Sequence, residues 1–271
     1  MNPGTPEVVV VTPTRNRPEL LWRAVESAAA QRDVTVRHVI VGDDCPALAD
    51  AGFTARLTGA FPHVTVLRTT PSTHPQVQNE YRWARVGRLR NLGAATSDVD
   101  LIAHLDDDNA WEPDHLSSLV AAMRAEPDAE MAHSWRRVLN DDGSPFRIPA
   151  GIDPWADDPE TGRRSYDLLT RAGVFVPGSN ILRDRLEWQG IILARVDTNE
   201  LLVRRQLFER LPFPEVFSRW KQKLGLGDDA VWAHQLVRHR VRTVCTERAT
   251  VNYYMGGKSN FDDREIDAAA P

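Results

Sequence analysis

The sequence predicts an α/β fold, with a doubly wound, mostly parallel sheet flanked by helices. Three observations predict it. Short β-branched or aliphatic runs recur at Val8–Thr12, Val36–Val41, Val64–Leu67 and Leu101–Leu105, with no polar face to give water, as in strands covered on both sides. Segments of helical periodicity alternate with them. Acidic residues follow two of the runs directly, Asp43-Asp44 and Asp106-Asp107-Asp108, and in such sheets ligands bind beyond the carboxyl ends of the strands.

Taken in order, Val8–Thr12 is a buried strand that Pro13 is expected to end, and Pro18 opens a helix with Leu21, Val25 and Ala28 on one face. Val36–Val41 is the second strand, and Pro46 starts the next helical stretch. Val64–Leu67 is the third. Between Arg68 and Tyr81, the turn-forming run Thr69–Pro75 reads as a mobile loop or an insertion beside the site. A helix near Val86–Ala95 leads into the fourth strand, Leu101–Leu105. Pro113–Ala125 reads as a helix, and Met131–Leu139 as a strand turning at Asp141-Asp142-Gly143 in a tight hairpin. Pro145–Gly173 reads as an irregular excursion. Regular pattern returns in the strand Leu201–Val203 and its following helix, the helix Asp228–Arg238 and the strand Val241–Thr246. The expected organisation is one continuous domain with two halves, residues 1–109 and 110–255, and 256–271 as a flexible tail.

The 271 residues can bury a large core and build a pocket without a partner chain. With 38 acidic against 33 basic residues and a net charge of -5, the surface is not suited to phosphate backbones, which argues against nucleic acid. Cys45 and Cys245, far apart, define neither a disulfide framework nor a zinc site, and a cytoplasmic location fits. The opening valine run is too short for a signal, and no stretch is long enough to span a bilayer, so membrane insertion is not expected; contact with a membrane surface stays open. Trp111, Trp155, Trp188 and Trp220 are read as core or anchoring residues in preference to stacking platforms.

Consecutive aspartates repel and raise one another's pKa unless a cation or hydrogen-bond donors compensate. Asp106, Asp107 and Asp108 offer hard oxygen ligands suited to Mg2+ or Mn2+, ions that complete their shells with substrate phosphates and water. A solvated acidic turn before the helix at Pro113 is the alternative.

Val8–Pro18 resembles the opening of family 2 glycosyltransferases, a buried strand running into a Pro13-Thr14-Arg15-Asn16 turn, with Arg15 where the family carries an aromatic residue. The resemblance continues, in order, through Val39–Asp44, Gly87–Gly93, Leu105–Asn109 with Pro113–Leu116, Asn199–Phe213 and Gly227–Trp232. It implies a GT-A type fold, an inverting reaction and a nucleotide-sugar donor, UDP-sugar favoured, with a small-molecule or lipid-linked acceptor. It implies that Asp44, or else Asp43, reads the base, that Arg90 and Arg88 face the nucleotide or diphosphate, and that Asp106 and Asp107 bind ribose or a metal-bound water. Asp108, with Asp106, would hold the metal. Asp229 would be the base that deprotonates the acceptor, with Asp228 beside it as the alternative. Relatives carry a metal-ligating His near the last strand; the matching stretch Asn252–Lys258 has none, and Lys258 is the candidate diphosphate contact there. A nucleotidyltransferase would need a glycine-rich loop after the first strand, which Pro13–Asn16 is not, and a non-catalytic nucleotide-sugar binder would be expected to have lost the acidic triplet or Asp229.

Overall fold

The computed structural model describes residues 4–69, 81–156 and 158–255. Residues 70–80, read above as part of a loop, and 256–271, read as a tail that includes Lys258, lie outside the described residues.

Val8–Val11 sit at the middle of the sheet, all fully buried. Their strand, β1 (Glu7–Thr14), pairs in parallel with β2 (Thr35–Asp43) on one side and β4 (Leu101–His104) on the other, and β2 pairs in parallel with β3 (Val64–Thr69). Pro13 does not end β1. The Leu105 amide donates to the Val11 carbonyl (3.1 Å), so odd-numbered residues direct their polar groups towards β4. That strand stops at His104, and Pro13 lacks a donor where no ladder partner waits.

Both faces of the sheet are covered, as a continuous apolar run requires. Val9 and Val11 face α4 (Arg82–Ala94), α7 (Arg205–Arg210) and α9 (Asp228–Arg238), whereas Val8 and Val10 face α1 (Pro18–Ala29) and α5 (His115–Ala125). The short α2 (Pro46–Ala49) and α3 (Ala51–Ala60) cover β2 and β3 from the α1 side. At Gly93, α4 lies so close to the sheet that a Cβ would overlap Val11 and reach Val41 Cγ2 at 3.0 Å.

The same sheet runs on through the second half of the chain. β10 (Leu201–Arg204) lies antiparallel between β4 and β6 (Met131–Leu139), and β11 (Thr243–Tyr254) pairs in parallel with β6 and antiparallel with β5 (Ala110–Trp111). β7 (Ile181–Leu182) pairs with β6, and β8 (Glu187–Trp188) with β9 (Ile191–Ile192) in a separate ribbon. The turn after β6 forms as expected, with Gly143 at φ 81° and a bridge from Leu139 to Pro145.

Three further readings change. The helix predicted from Pro113 starts at His115, because Glu112 and His115 first close a turn (3.0 Å). Within the stretch read as irregular lies α6 (Pro159–Arg171), capped by Asp158 with Pro159 in its first turn; it is mostly polar, and its few apolar residues pack against the distal end of β6. β11 continues eight residues beyond Thr246, because a bulge between Cys245 and Ala249 absorbs the polar Thr246–Arg248 interruption. Cys45 and Cys245 are free, and no helix among the described residues is long and apolar enough to cross a membrane.

Candidate active site

The carboxyl ends of β1, β2 and β4 and the start of α9 converge on a cleft of about 330 Å³. Thr14, Asp43, Asp106–Asp108 and Gly227–Asp229 all line it. Its acidic triplet carries different partners at each position. Asp106 accepts from the Arg90 guanidinium (2.7 Å) and from the Asn199 side-chain amide (2.9 Å), while its own backbone N–H donates to Asn199 Oδ1 (2.6 Å). Burial alone would raise its pKa; Arg90 and Asn199 hold it below the usual carboxylate range. Asp107 is fully buried and accepts from Thr14 Oγ1 (2.6 Å) and from two nitrogens of Arg17. Asp108 shares Arg17 (3.0 Å) through one oxygen only. Burial and the neighbouring Asp107 push it up to about 7.

Arg90 is the hinge of the site. Its side chain is 4% exposed and lies between Asp106 and Asp228, with Nε donating to Asp228 Oδ2 at 3.0 Å. The guanidinium thus joins the strand-end triplet to the first turn of α9. Asp228 is buried at 1% exposure, and that burial raises its pKa although Arg90 opposes the rise. Asp229 is the more open of the two. Its Oδ1 accepts from the Ala230 amide (2.7 Å), and burial followed by the Asp228 charge pushes it to about 7. Gly227 leaves room for this carboxylate: a Cβ there would overlap Asp229 Oδ1 and push it aside.

Pro13 and Arg15 line the cleft, whereas Asn16 sits at φ 51° on the turn, with its backbone N–H donating to Cys45 Sγ (3.1 Å). Of the pair at the end of β2, Asp43 lines the cleft, in an ion pair with Arg85 (2.9 Å), and Asp44 is exposed with φ 44°. Arg88 lies on the outer side of α4, paired with Glu215 at 3.7 Å. Arg17 is the main residue that the sequence reading passed over. The signal was its place in the turn, three residues beyond Thr14, opposite consecutive aspartates that need a cation. Asn199 and Asp197 also went unassigned; their sign was the Asp197–Glu200 capping box ahead of β10.

A smaller cavity of about 170 Å³ adjoins the cleft, and Trp155, Asp197, Asp229 and Tyr253 line both. Arg136 and Arg195 approach the Trp155 ring at 5.4 and 5.2 Å, and Arg136 donates to Asp197 (2.6 Å). Trp155 is therefore a wall of the site, not only a packing residue.

For a divalent ion, the open ligand is Asp108, whose second oxygen has no partner among the described residues; both Asp106 oxygens are taken by Arg90 and Asn199. Among the described residues no three acidic, His or Cys side chains converge on a metal position. The residues fit an ion held by one carboxylate, with substrate phosphates and water completing the shell.

A mostly parallel, curled sheet with an acidic cleft at its strand ends is the architecture of GT-A type glycosyltransferases. The family description Glycosyl transferase family 2 matches residues 9–186, more than half of the chain, and the chain belongs to that family. Succinoglycan biosynthesis protein ExoO of Rhizobium meliloti (strain 1021) is 31% identical over 152 residues, 55% of this chain and 39% of the relative. Protein CgeD of Bacillus subtilis (strain 168) is 25% identical over 134 residues, 49% of this chain and 30% of the relative. Among solved structures, S. aureus TarS 1-349 in complex with UDP superposes with a TM-score of 0.56 at 15% identity, covering 92% of this chain and 60% of that one. The mannosyltransferase PcManGT from Pyrobaculum calidifontis, in complex with GDP-Man and Mn2+, gives 0.52 at 15%, covering 92% and 57%. The chain thus spans less than two thirds of each of these proteins, and at such identities the structural likeness establishes the fold.

Proposed function

We propose that the chain is an inverting glycosyltransferase that moves a sugar from a nucleoside diphosphate donor to a hydroxyl of its acceptor, with Asp229 as the base. One observation carries this reading: Asp229 stands in the wall shared by the two cavities. The donor fills the larger cleft and the acceptor hydroxyl enters from the smaller one. Asp229 accepts the hydroxyl proton as the oxygen bonds to the anomeric carbon, the bond from that carbon to the diphosphate breaks on the opposite face, and configuration inverts. Arg90 fixes Asp228, and through it the first turn of α9, against Asp106. Asp43 would accept from the N–H of a base, and Arg15, which lines the same cleft, would face the diphosphate. A UDP-sugar is the favoured donor, supported by the UDP complex of the TarS structure. Asp108 would hold Mn2+ or Mg2+, which when bound offsets the charge on the departing diphosphate. The nucleotide contacts come from residues 1–109 and the base from 110–255.

The test is a panel of UDP-, dTDP- and GDP-sugars with and without Mn2+, read as release of nucleoside diphosphate by the wild type, Asp108→Ala and Asp229→Asn. Release of one diphosphate that needs metal and is lost in Asp108→Ala supports the reading. Donor binding without turnover in the presence of any hydroxyl acceptor tried, unchanged in Asp229→Asn, would point to a binding protein instead.

A further inference from the structure

Five large hydrophobic side chains are exposed among the described residues, and three of them cluster in one short segment, with Leu92 and Ile191 elsewhere in the chain. Val216 is 85% exposed, Trp220 67% and Leu224 43%, all within nine residues of chain. Trp220 belongs to α8 (Arg219–Lys223), which buries none of its residues, and Leu224 follows one turn later on the same side. Trp220, read from the sequence as a core or anchoring residue, is instead exposed on this helix. The segment is anchored from beneath. Phe217 is buried against the Tyr81 ring (5.1 Å), and the Tyr81 hydroxyl donates to the Leu226 carbonyl (2.9 Å). The exposed residues thus sit on a fixed platform.

The charge around them is as unusual as the exposure. Arg219, Lys221 and Lys223 interleave with Trp220, and no acidic residue occurs between Val216 and Gly227, in a chain whose net charge is -5. The whole chain has only three lysines, and two of them are here. None of the three basic residues is held in an ion pair among the described residues.

We propose that the Val216–Leu224 segment docks on an anionic lipid bilayer. An indole at headgroup depth, flanked by lysines that lay their stems along apolar surface and keep their ammonium groups in the lipid phosphate layer, matches that partner in each component. A protein partner matches less well. Lysine is depleted in protein interfaces, and three apolar side chains fall far short of the roughly 800 Å² per partner that a stable interface buries. Because Leu226 is only three residues from Asp229, docking holds the base end of the cleft close to the membrane, where an acceptor carried by lipid would be presented.

The experiment is flotation of the full chain with vesicles of phosphatidylcholine alone and of phosphatidylcholine mixed with phosphatidylglycerol, at low and raised salt. Vesicle binding is read without turnover, so the result is independent of the reaction proposed above. The expected outcome is co-flotation with the anionic vesicles only, weakened by salt. A basic residue near an anionic surface contributes about fivefold in partitioning, so the charge-reversed variant Arg219→Glu/Lys221→Glu/Lys223→Glu should lose at least about a hundredfold. Trp220→Ala should lose about tenfold, and both variants should melt at the wild-type temperature. No binding to anionic vesicles, equal binding to neutral ones, or full binding by both variants would overturn the proposal. So would light scattering that shows a dimer which Trp220→Ala dissolves, since that assigns the surface to a second copy of the chain.

Discussion

Replacing Arg90 with Met keeps most of the side chain's length and removes its charge. The guanidinium serves two carboxylates. Asp106 would keep its contacts to Asn199, but Asp228, at 1% exposure, would lose its one side-chain partner among the described residues. Removing one member of a buried ion pair costs about 3–5 kcal/mol, because the remaining charge is stranded away from water. Against a total stability on the order of 5–15 kcal/mol, that is a large share. The cost should depend on pH in a definite direction. Asp228 already has a raised pKa, and without Arg90 it rises further. A carboxyl whose folded pKa is raised destabilises the fold while ionised and ceases to do so when it takes up a proton. Urea denaturation should therefore show the full deficit at about pH 8 and a smaller one at about pH 5. The double variant Arg90→Met/Asp228→Asn, which strands no charge on α9, should recover about half of the loss at the higher pH. A deficit below about 1 kcal/mol, or a double variant no more stable than the single one, would refute the view that Arg90 holds the two halves of the site through charge.

Arg17→Ala should cost about 2–3 kcal/mol in urea denaturation, less than a fully buried pair because Arg17 is 20% exposed; Arg17→Lys should recover only part, since one ammonium cannot bridge Asp107 and Asp108 as the planar fork does. Gly227→Ala should displace the Asp229 carboxylate and lower kcat about ten- to a hundredfold with little change in donor KM, and an unchanged kcat would remove the steric argument. With Asp229 near 7, kcat/KM should climb with pH to a plateau above about 7; because the ionised form is disfavoured in the folded protein, Asp229→Asn should melt higher than the wild type above that pH and level with it in acid. Gly93→Ala, with no room between α4 and Val11, should cost about 1–3 kcal/mol, seen as a lower Tm and otherwise normal donor binding.

The sheet was legible because its central strands have no polar face: Val8–Val11 and Leu101–Leu105 can sit only between layers. The acidic positions were legible for the same reason, as charge placed directly after buried strands. What sequence could not deliver was partnership. Nothing in the spacing of Arg90 distinguishes a phosphate ligand from a clamp between Asp106 and Asp228, which are separated by 122 positions and meet only when β10 returns beside β4. Arg17 was hidden within the motif that revealed its neighbours. Helix α6 was missed because periodicity looks for an apolar stripe, and its stability rests on a cap at Asp158 and a few residues buried against β6. The bulge in β11 likewise depends on β6 continuing alongside it.

The residues around the two cavities come from different kinds of scaffold. The larger cleft, proposed above to take the donor, is built mainly on strand termini, where moving one side chain means moving a ladder of backbone hydrogen bonds. Trp155 and Arg195, which shape the smaller cavity, sit on connecting segments outside the main sheet. Under the proposed function, evolution could therefore exchange those segments for others of different length and chemistry, and give the same machinery a new clientele, without reopening the sheet that positions Asp43 and Asp108.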